Sequence, residues 1–242
     1  MQPRTTRLTA PASSAAVIGL LFLASACAPP QDPKAAAGTA SATPSAKAPA
    51  RPLTTASLKG LAFKDGEVPQ AYEPIEVQEP QPEGSGRSFP PVSVPACQPL
   101  VDVRTGKGSS AHVFQIFNWK ENLMGGGSTL ASYESDQAQQ RFAELKQALS
   151  TCRSYEGEGY VGPFKATVTT ETPPRVGDEA VAFREIIPMG PEQPGDRNEQ
   201  FIVVRTGNAI ATFSELSVGK GLSFPSELIS RQVERLQNAQ RS

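Results

Sequence analysis

Hydrophobic positions recur along this chain with two periods. Ala138, Phe142, Leu145 and Leu149 follow one another at spacings of four, three and four, which places them on one face of a helix over residues 136–151. Ser135 stands where an N-cap belongs, and Asp136 suits the positive helix start. Cys152, three residues past Leu149, continues the apolar face. Pro225 opens a second long helix whose apolar positions include Leu228, Ile229, Val233 and Leu236. Shorter helices are predicted over 54–61 and 97–103, the latter entered at Pro95.

Elsewhere the pattern shortens to that of strands, predicted at 72–78, 111–119, 128–133, 164–170, 179–187, 200–205 and 209–216. The 111–119 strand carries Phe114 and Ile116 on one parity and Val113 and Phe117 on the other, which predicts a central strand covered on both faces. Gly125 to Gly127 turn the chain into 128–133, and Thr206-Gly207-Asn208 between β-branched runs predicts a hairpin. The Pro- and Gly-rich stretches 79–91 and 188–198 are predicted loops. The sum is an α+β fold, a mostly antiparallel twisted sheet with helices packed on it.

Residues 1–52 change that picture from a bare domain to an exported one. Arg4 and Arg7 precede an apolar run from Ala15 to Ala26 that Gly19 and Ser25 interrupt. The run is short of the roughly 20 apolar residues of a spanning helix and has the anatomy of an export signal. Ala24-Ser25-Ala26 fits both ordinary signal cleavage and a relaxed lipobox. Cys27 directly after it favours a lipoprotein signal over 1–26, with Cys27 becoming a lipidated N-terminus; the other reading is a secreted chain with a free N-terminal thiol. Of the 25 residues 28–52, fifteen are Ala or Pro and none is Leu, Ile, Val or aromatic. Such a segment cannot offset its ordering entropy, so 27–52 is expected to be a disordered tether reaching at most about 80 Å. The globular domain is then 53–242, on the extracytoplasmic face of the cell membrane.

Three cysteines are present. With Cys27 assigned to lipid, Cys97 and Cys152 are the pair left for a disulfide in an oxidising compartment, the alternative being two buried thiols. The formal charge is −1, and loss of Arg4 and Arg7 with the leader makes the chain more acidic still. No basic block offers a nucleic-acid footprint.

Candidate chemistry is sparse. Gly157-Glu158-Gly159-Tyr160-Val161-Gly162 matches G-x-G-x-x-G, but a helix precedes it and a strand with Pro163 follows, the reverse of a dinucleotide site; it reads as a glycine-rich turn. His112 is the one histidine and lies in a predicted strand, and no G-x-S-x-G elbow accompanies it. No metal-ligand spacing and no cofactor motif are found, and Asp178-Glu179 reads as a solvated turn. Trp119, at a strand end beside the glycine turn, is a candidate lining for a ligand cleft, with Tyr155 and Tyr160 as candidate rim residues. Aromatics at such places more often serve packing.

Three stretches carry a family resemblance: Tyr133-Glu134-Ser135 leading the helix that closes at Cys152, the strand-opening run Val176-Gly177-Asp178-Glu179-Ala180-Val181-Ala182-Phe183, and the hairpin at Gly207-Asn208 before the last helix. In these the chain resembles the extracellular sensor-type domain of actinobacterial Ser/Thr protein kinases of the H type, also found in free-standing lipoproteins. The resemblance implies a secreted, disulfide-linked cleft domain with an undefined ligand and no catalytic residues. The chain departs from it in having no kinase domain, no spanning helix and one possible bridge rather than two. A membrane-anchored, non-enzymatic domain that binds a small envelope ligand or a partner protein is therefore the leading expectation. An envelope lipid or glycolipid carrier walled by strands 111–119 and 201–204, and an envelope hydrolase using His112 with a serine, are the alternatives.

Overall fold

Two long strands joined by a two-residue turn form the spine of the molecule. β7 (Asp196–Thr206) and β8 (Ala209–Val218) pair in antiparallel register across Gly207-Asn208, where Gly207 has φ 57°. A left-handed residue costs glycine little, which is why the turn sits here. In the computed structural model, which describes residues 51–80, 88–160, 162–192 and 194–241, six further strands flank this hairpin. They are β1 (Val77–Gln78), β2 (Ala111–Phe117), β3 (Gly126–Ser132), β4 (Ser154–Gly159), β5 (Gly162–Glu171) and β6 (Glu179–Pro188). The order across the sheet is β1-β2-β3-β8-β7-β6-β5-β4, with every neighbouring pair antiparallel.

Strand parity divides the sheet into two buried faces. Val113, Leu130, Ala182, Ile202, Val204, Ala211 and Phe213 face one core, covered by α1 (Thr55–Leu61) and α4 (Ser226–Arg241) through Leu58, Leu228, Ile229, Val233 and Leu236. Ala131, Phe183, Phe201, Val203 and Ile210 face the other, covered by α2 (Gln98–Asp102) and α3 (Gln137–Thr151) through Leu100, Phe142, Leu145 and Leu149. Short 3-10 turns, Pro95–Cys97 and Val103–Thr105, bracket α2. Cys97 and Cys152 are bonded, with Cα atoms 5.3 Å apart, and tie the entry of α2 to the end of α3. A loop of 55 residues closed in this way stabilises the fold by about 4 kcal/mol in the chain-entropy account.

Several expectations are corrected. β2 is not central: it lies beside the two-residue β1, near an edge of the sheet. Val113, Gln115 and Phe117 are buried on one parity, whereas His112, Phe114 and Ile116 are half-exposed on the other. Gln115 is tolerated in the core because it mimics a strand partner, accepting from Phe63 N (3.0 Å) and donating to Phe63 O (2.8 Å). The strand expected at 72–78 shrinks to Val77–Gln78, preceded by a lone bridge between Ala71 and Trp119. Ser135 is not the N-cap; it has φ 51°, Asp136 takes the cap position, and α3 begins at Gln137. β7 starts at Asp196, inside the expected loop 188–198. The glycine-rich run contains an unanticipated strand, β4, whose last residue Gly159 pairs with Gly162 at the start of β5. Part of the predicted 79–91 loop and nearly all of the 27–52 tether, with Cys27, fall outside the described residues.

Candidate functional site

The helices leave part of one sheet face uncovered. α2 and α3 pack over Phe183, Val203, Ile210 and Ala131, while the same face towards β1–β3 stays open. The result is a cleft of 540 Å³. Phe114, Thr129, Thr212, Ser214, Phe201 and Glu199 line it from the sheet, Arg104 and Thr105 from the turn after α2, Gln78 to Pro80 from the β1 side, and Tyr160 from the tip of the β4–β5 hairpin. Its size and mixed lining suit a small organic ligand.

Arg104 is fixed more firmly than any other wall residue. Its guanidinium pairs with Glu185, donates to Tyr155 Oη at 3.0 Å and to Leu100 O at 3.1 Å, and stacks 4.1 Å above the Phe201 ring. Tyr155 donates in turn to Glu185 Oε1 at 2.7 Å. Burial works against the Arg104 charge, but Glu185, Tyr155 and Glu199 outweigh it and hold the group protonated. Burial pushes the Tyr155 phenol well above its usual range, so it remains a donor. The sheet positions the backbone of this turn too: Thr129 Oγ1 donates to Arg104 O (2.6 Å) and Thr212 Oγ1 to Val103 O (3.1 Å). Glu199 is held by Arg197 at 2.7 Å. Arg104 and Glu199 are thus each paired with a residue behind the lining, Glu185 and Arg197, leaving Phe114 and the Ser214 hydroxyl to meet a ligand.

His112 also lines the cleft, and burial lowers its pKa, so the ring is neutral near pH 7. Ser109 Oγ lies 3.2 Å from His112 Nδ1. Among the described residues no carboxylate orients that ring, and no group of three or more His, Cys, Asp or Glu is placed to hold a metal.

The three aromatic candidates from the sequence are not brought together. Tyr160 is 79% exposed and stands on the cleft rim, edge-on to Phe89 at 5.0 Å. Tyr155 is 2% exposed and is no rim residue; it belongs to the buried Arg104–Glu185 group. Trp119 lies on the opposite face, stacked on Phe117 and lining a second cavity of 510 Å³. Of the two strands expected to wall a lipid cavity, 201–204 is packed on both faces, Phe201 and Val203 on the α3 side and Ile202 and Val204 on the α4 side, while Phe114 of 111–119 lines the cleft. The reading of the sequence missed Arg104, Glu185 and Glu199. A signal for Glu185 was present, since it takes the inward parity between Phe183 and Ile187 where an apolar residue is expected.

The resemblance motif at 176–183 is structural. Gly177 has φ 70°, and a Cβ there would lie 2.4 Å from Val204 Cγ1 and 2.7 Å from Arg205 O. Asp178 Oδ2 accepts from Gly207 N (2.6 Å) and from Arg205 (3.2 Å), and Glu179 accepts from Arg205 (3.0 Å) and Lys146 (2.5 Å). Asp178 and Glu179 are therefore a clamp on the spine hairpin rather than a solvated turn.

No protein-family model and no curated protein sequence matches the chain. Among solved structures, the chain is similar to the extracellular domain of PknH from Mycobacterium tuberculosis, with a TM-score of 0.52 and 16% identity over 78% of this chain and 98% of that one. At that identity the likeness shows a shared fold alone. A Mycobacterium smegmatis protein described as the Rv0999 ortholog aligns at 13% identity over 76% of this chain and 92% of that one, with a TM-score of 0.33, too remote to bear on the fold.

Proposed function

We propose that this is a membrane-anchored extracytoplasmic lipoprotein whose folded domain is a non-enzymatic, sensor-like binding module. Cys27 carries the lipid, residues 28–52 are the spacer, and the cleft beside Arg104 receives a small envelope ligand or a segment of a partner protein. The observation that carries this reading is the uncovered sheet face. A sheet built only for stability would bury Phe114 under a helix, whereas here it is half-exposed in an open cleft beside the paired Arg104. The sensor-type fold agrees with it.

Native mass spectrometry of the protein extracted from its own envelope tests the reading. The wild type is expected to retain an added mass, and Ser214→Trp, which fills the cleft from the sheet, to lose it while melting normally. A wild-type domain that stays empty and shows no change in Phe114 or Phe201 resonances with envelope extract would overturn it. The Ser109–His112 contact is the one observation favouring a hydrolase. If p-nitrophenyl ester hydrolysis by the purified domain is abolished in His112→Ala, the non-enzymatic reading fails.

A further inference from the structure

The opposite face of the sheet ends in a cavity that the cleft does not explain. The inward parity of β8 runs through Ala209, Ala211 and Phe213 and then reaches Glu215, so a carboxylate stands where the apolar core stops. The 510 Å³ cavity lies between residues 69–70, the turn 119–122 after β2, and the segment 222–225 leading into α4. Trp119 backs it, stacked on Phe117 at 5.1 Å and edge-on to Phe224 at 5.6 Å.

Glu215 is 4% exposed and lines this cavity. Its Oε1 accepts from Asn122 Nδ2 at 2.7 Å. Its Oε2 makes no hydrogen bond of strict geometry among the described residues, though the neighbouring Trp119 N–H stands close enough to act on the carboxyl. Gly126 admits both groups: a Cβ there would lie 2.6 Å from Trp119 Nε1 and 2.8 Å from Glu215 Oε2. No described cation offsets the carboxylate. Lys120, which lines the same cavity, turns its ammonium to Pro69 O at 2.7 Å and makes no ion pair with Glu215. Burial pushes the Glu215 pKa up, and the N–H groups of Asn122 and Trp119 pull the other way. Glu121 brings a second carboxylate to the lining, and Leu222 and Pro225 supply an apolar wall.

A buried carboxylate without its cation is held at an energetic cost that a cationic ligand would relieve. An indole beside it favours the same charge. We propose that this cavity binds a primary ammonium on an aliphatic stem, the ammonium taken by Glu215 and Glu121 beside Trp119 and the stem lying along Leu222 and Pro225. The site is independent of the cleft, since the two open on opposite faces of the sheet.

Trp119 is the one tryptophan of the chain, so its emission reports this cavity alone. Titration with 1,5-diaminopentane and with Nα-acetyl-lysine amide is expected to shift that emission saturably, while n-pentanol at equal concentration leaves it unchanged. The stronger of the two amines tells a free diamine from a lysine side chain of another protein as the source of the group. Glu215→Gln, which keeps an acceptor for Asn122, should weaken the amine by about tenfold or more, and Glu121→Gln by less. Added salt should weaken it in the wild type. Should Glu215→Gln fail to fold, the Glu121→Gln and salt arms still decide. The proposal is overturned if the wild type gives no saturable response to either amine, if pentanol acts as strongly, or if the folded Glu215→Gln variant binds unchanged.

Discussion

Single side chains in this protein do disproportionate work where charge is buried. Glu185 is fully buried and depends on Arg104 and Tyr155. Arg104→Ala would strand that carboxylate and should cost about 3–5 kcal/mol in urea denaturation. The double variant Arg104→Met with Glu185→Leu should recover most of the loss, because an apolar pair of similar volume leaves no charge unpaired. Glu67 acts at the surface in the opposite sense. Arg235 grips both its oxygens, Lys64 N donates to it at 2.7 Å, and these contacts hold its carboxyl below the usual range despite partial burial. A carboxyl whose folded pKa is lowered stabilises above its unfolded value near 4.5 and loses that contribution as pH falls through the folded value. Glu67→Gln should therefore cost about 1 kcal/mol at pH 7, with the difference from wild type closing as the pH drops well below 4. Paired denaturation curves at the two pH values check both the size and the sign.

At the scale of elements, legibility followed periodicity. α3, α4 and the Gly207-Asn208 hairpin were readable because their apolar spacing and turn residues agree with their burial. β4 was not, because Gly157 and Gly159 give a strand no side-chain pattern. Its pairing is completed from outside: the Phe164 ring lies over Gly157, its register partner, so closely that a Cβ at Gly157 would meet it at 2.8 Å. Ser93 pairs with the backbone of Glu156 on the free side of the same strand (2.9 and 2.8 Å). β2 misled because Phe114 and Ile116 look like core residues; both are half-exposed and Phe114 lines the cleft, and no local signal separates the two uses. The candidate site was legible only at Tyr160 and His112, since the cleft is assembled from β2, β3, β7, β8 and the turn after α2. Leu145 is 1% exposed and central to the α3 interface. Leu145→Ala should lower stability by about 3 kcal/mol, and Gly177→Ala should also destabilise because the Asp178–Arg205 clamp closes against it. Thermal melts of the two variants would test whether α3 and the clamp unfold with the whole sheet.

For the whole molecule, two open surfaces on one sheet follow from its two-sided core. Each helix pair covers its face incompletely, and the uncovered ends become the cleft and the Trp119 cavity. The chain enters the fold at Leu53, whose N–H donates to Ser132 Oγ at the last residue of β3. The Trp119 cavity is at the other end of that strand, beside Gly126. If Cys27 carries the anchor, Cys27→Ala should move the protein from the membrane fraction to the soluble fraction without changing the melting of the folded domain.

The Cys97–Cys152 bridge has a consequence beyond stability. It fastens α2 to the end of α3, and α2 runs directly into the turn that hangs Arg104 over the cleft. Reductant would release the near end of that short helix while the Thr129 and Thr212 hydroxyls still hold the turn at the far end. If the cleft takes the ligand proposed for it, its capture would then register thiol poise, weakening in a reducing milieu before the sheet itself comes apart.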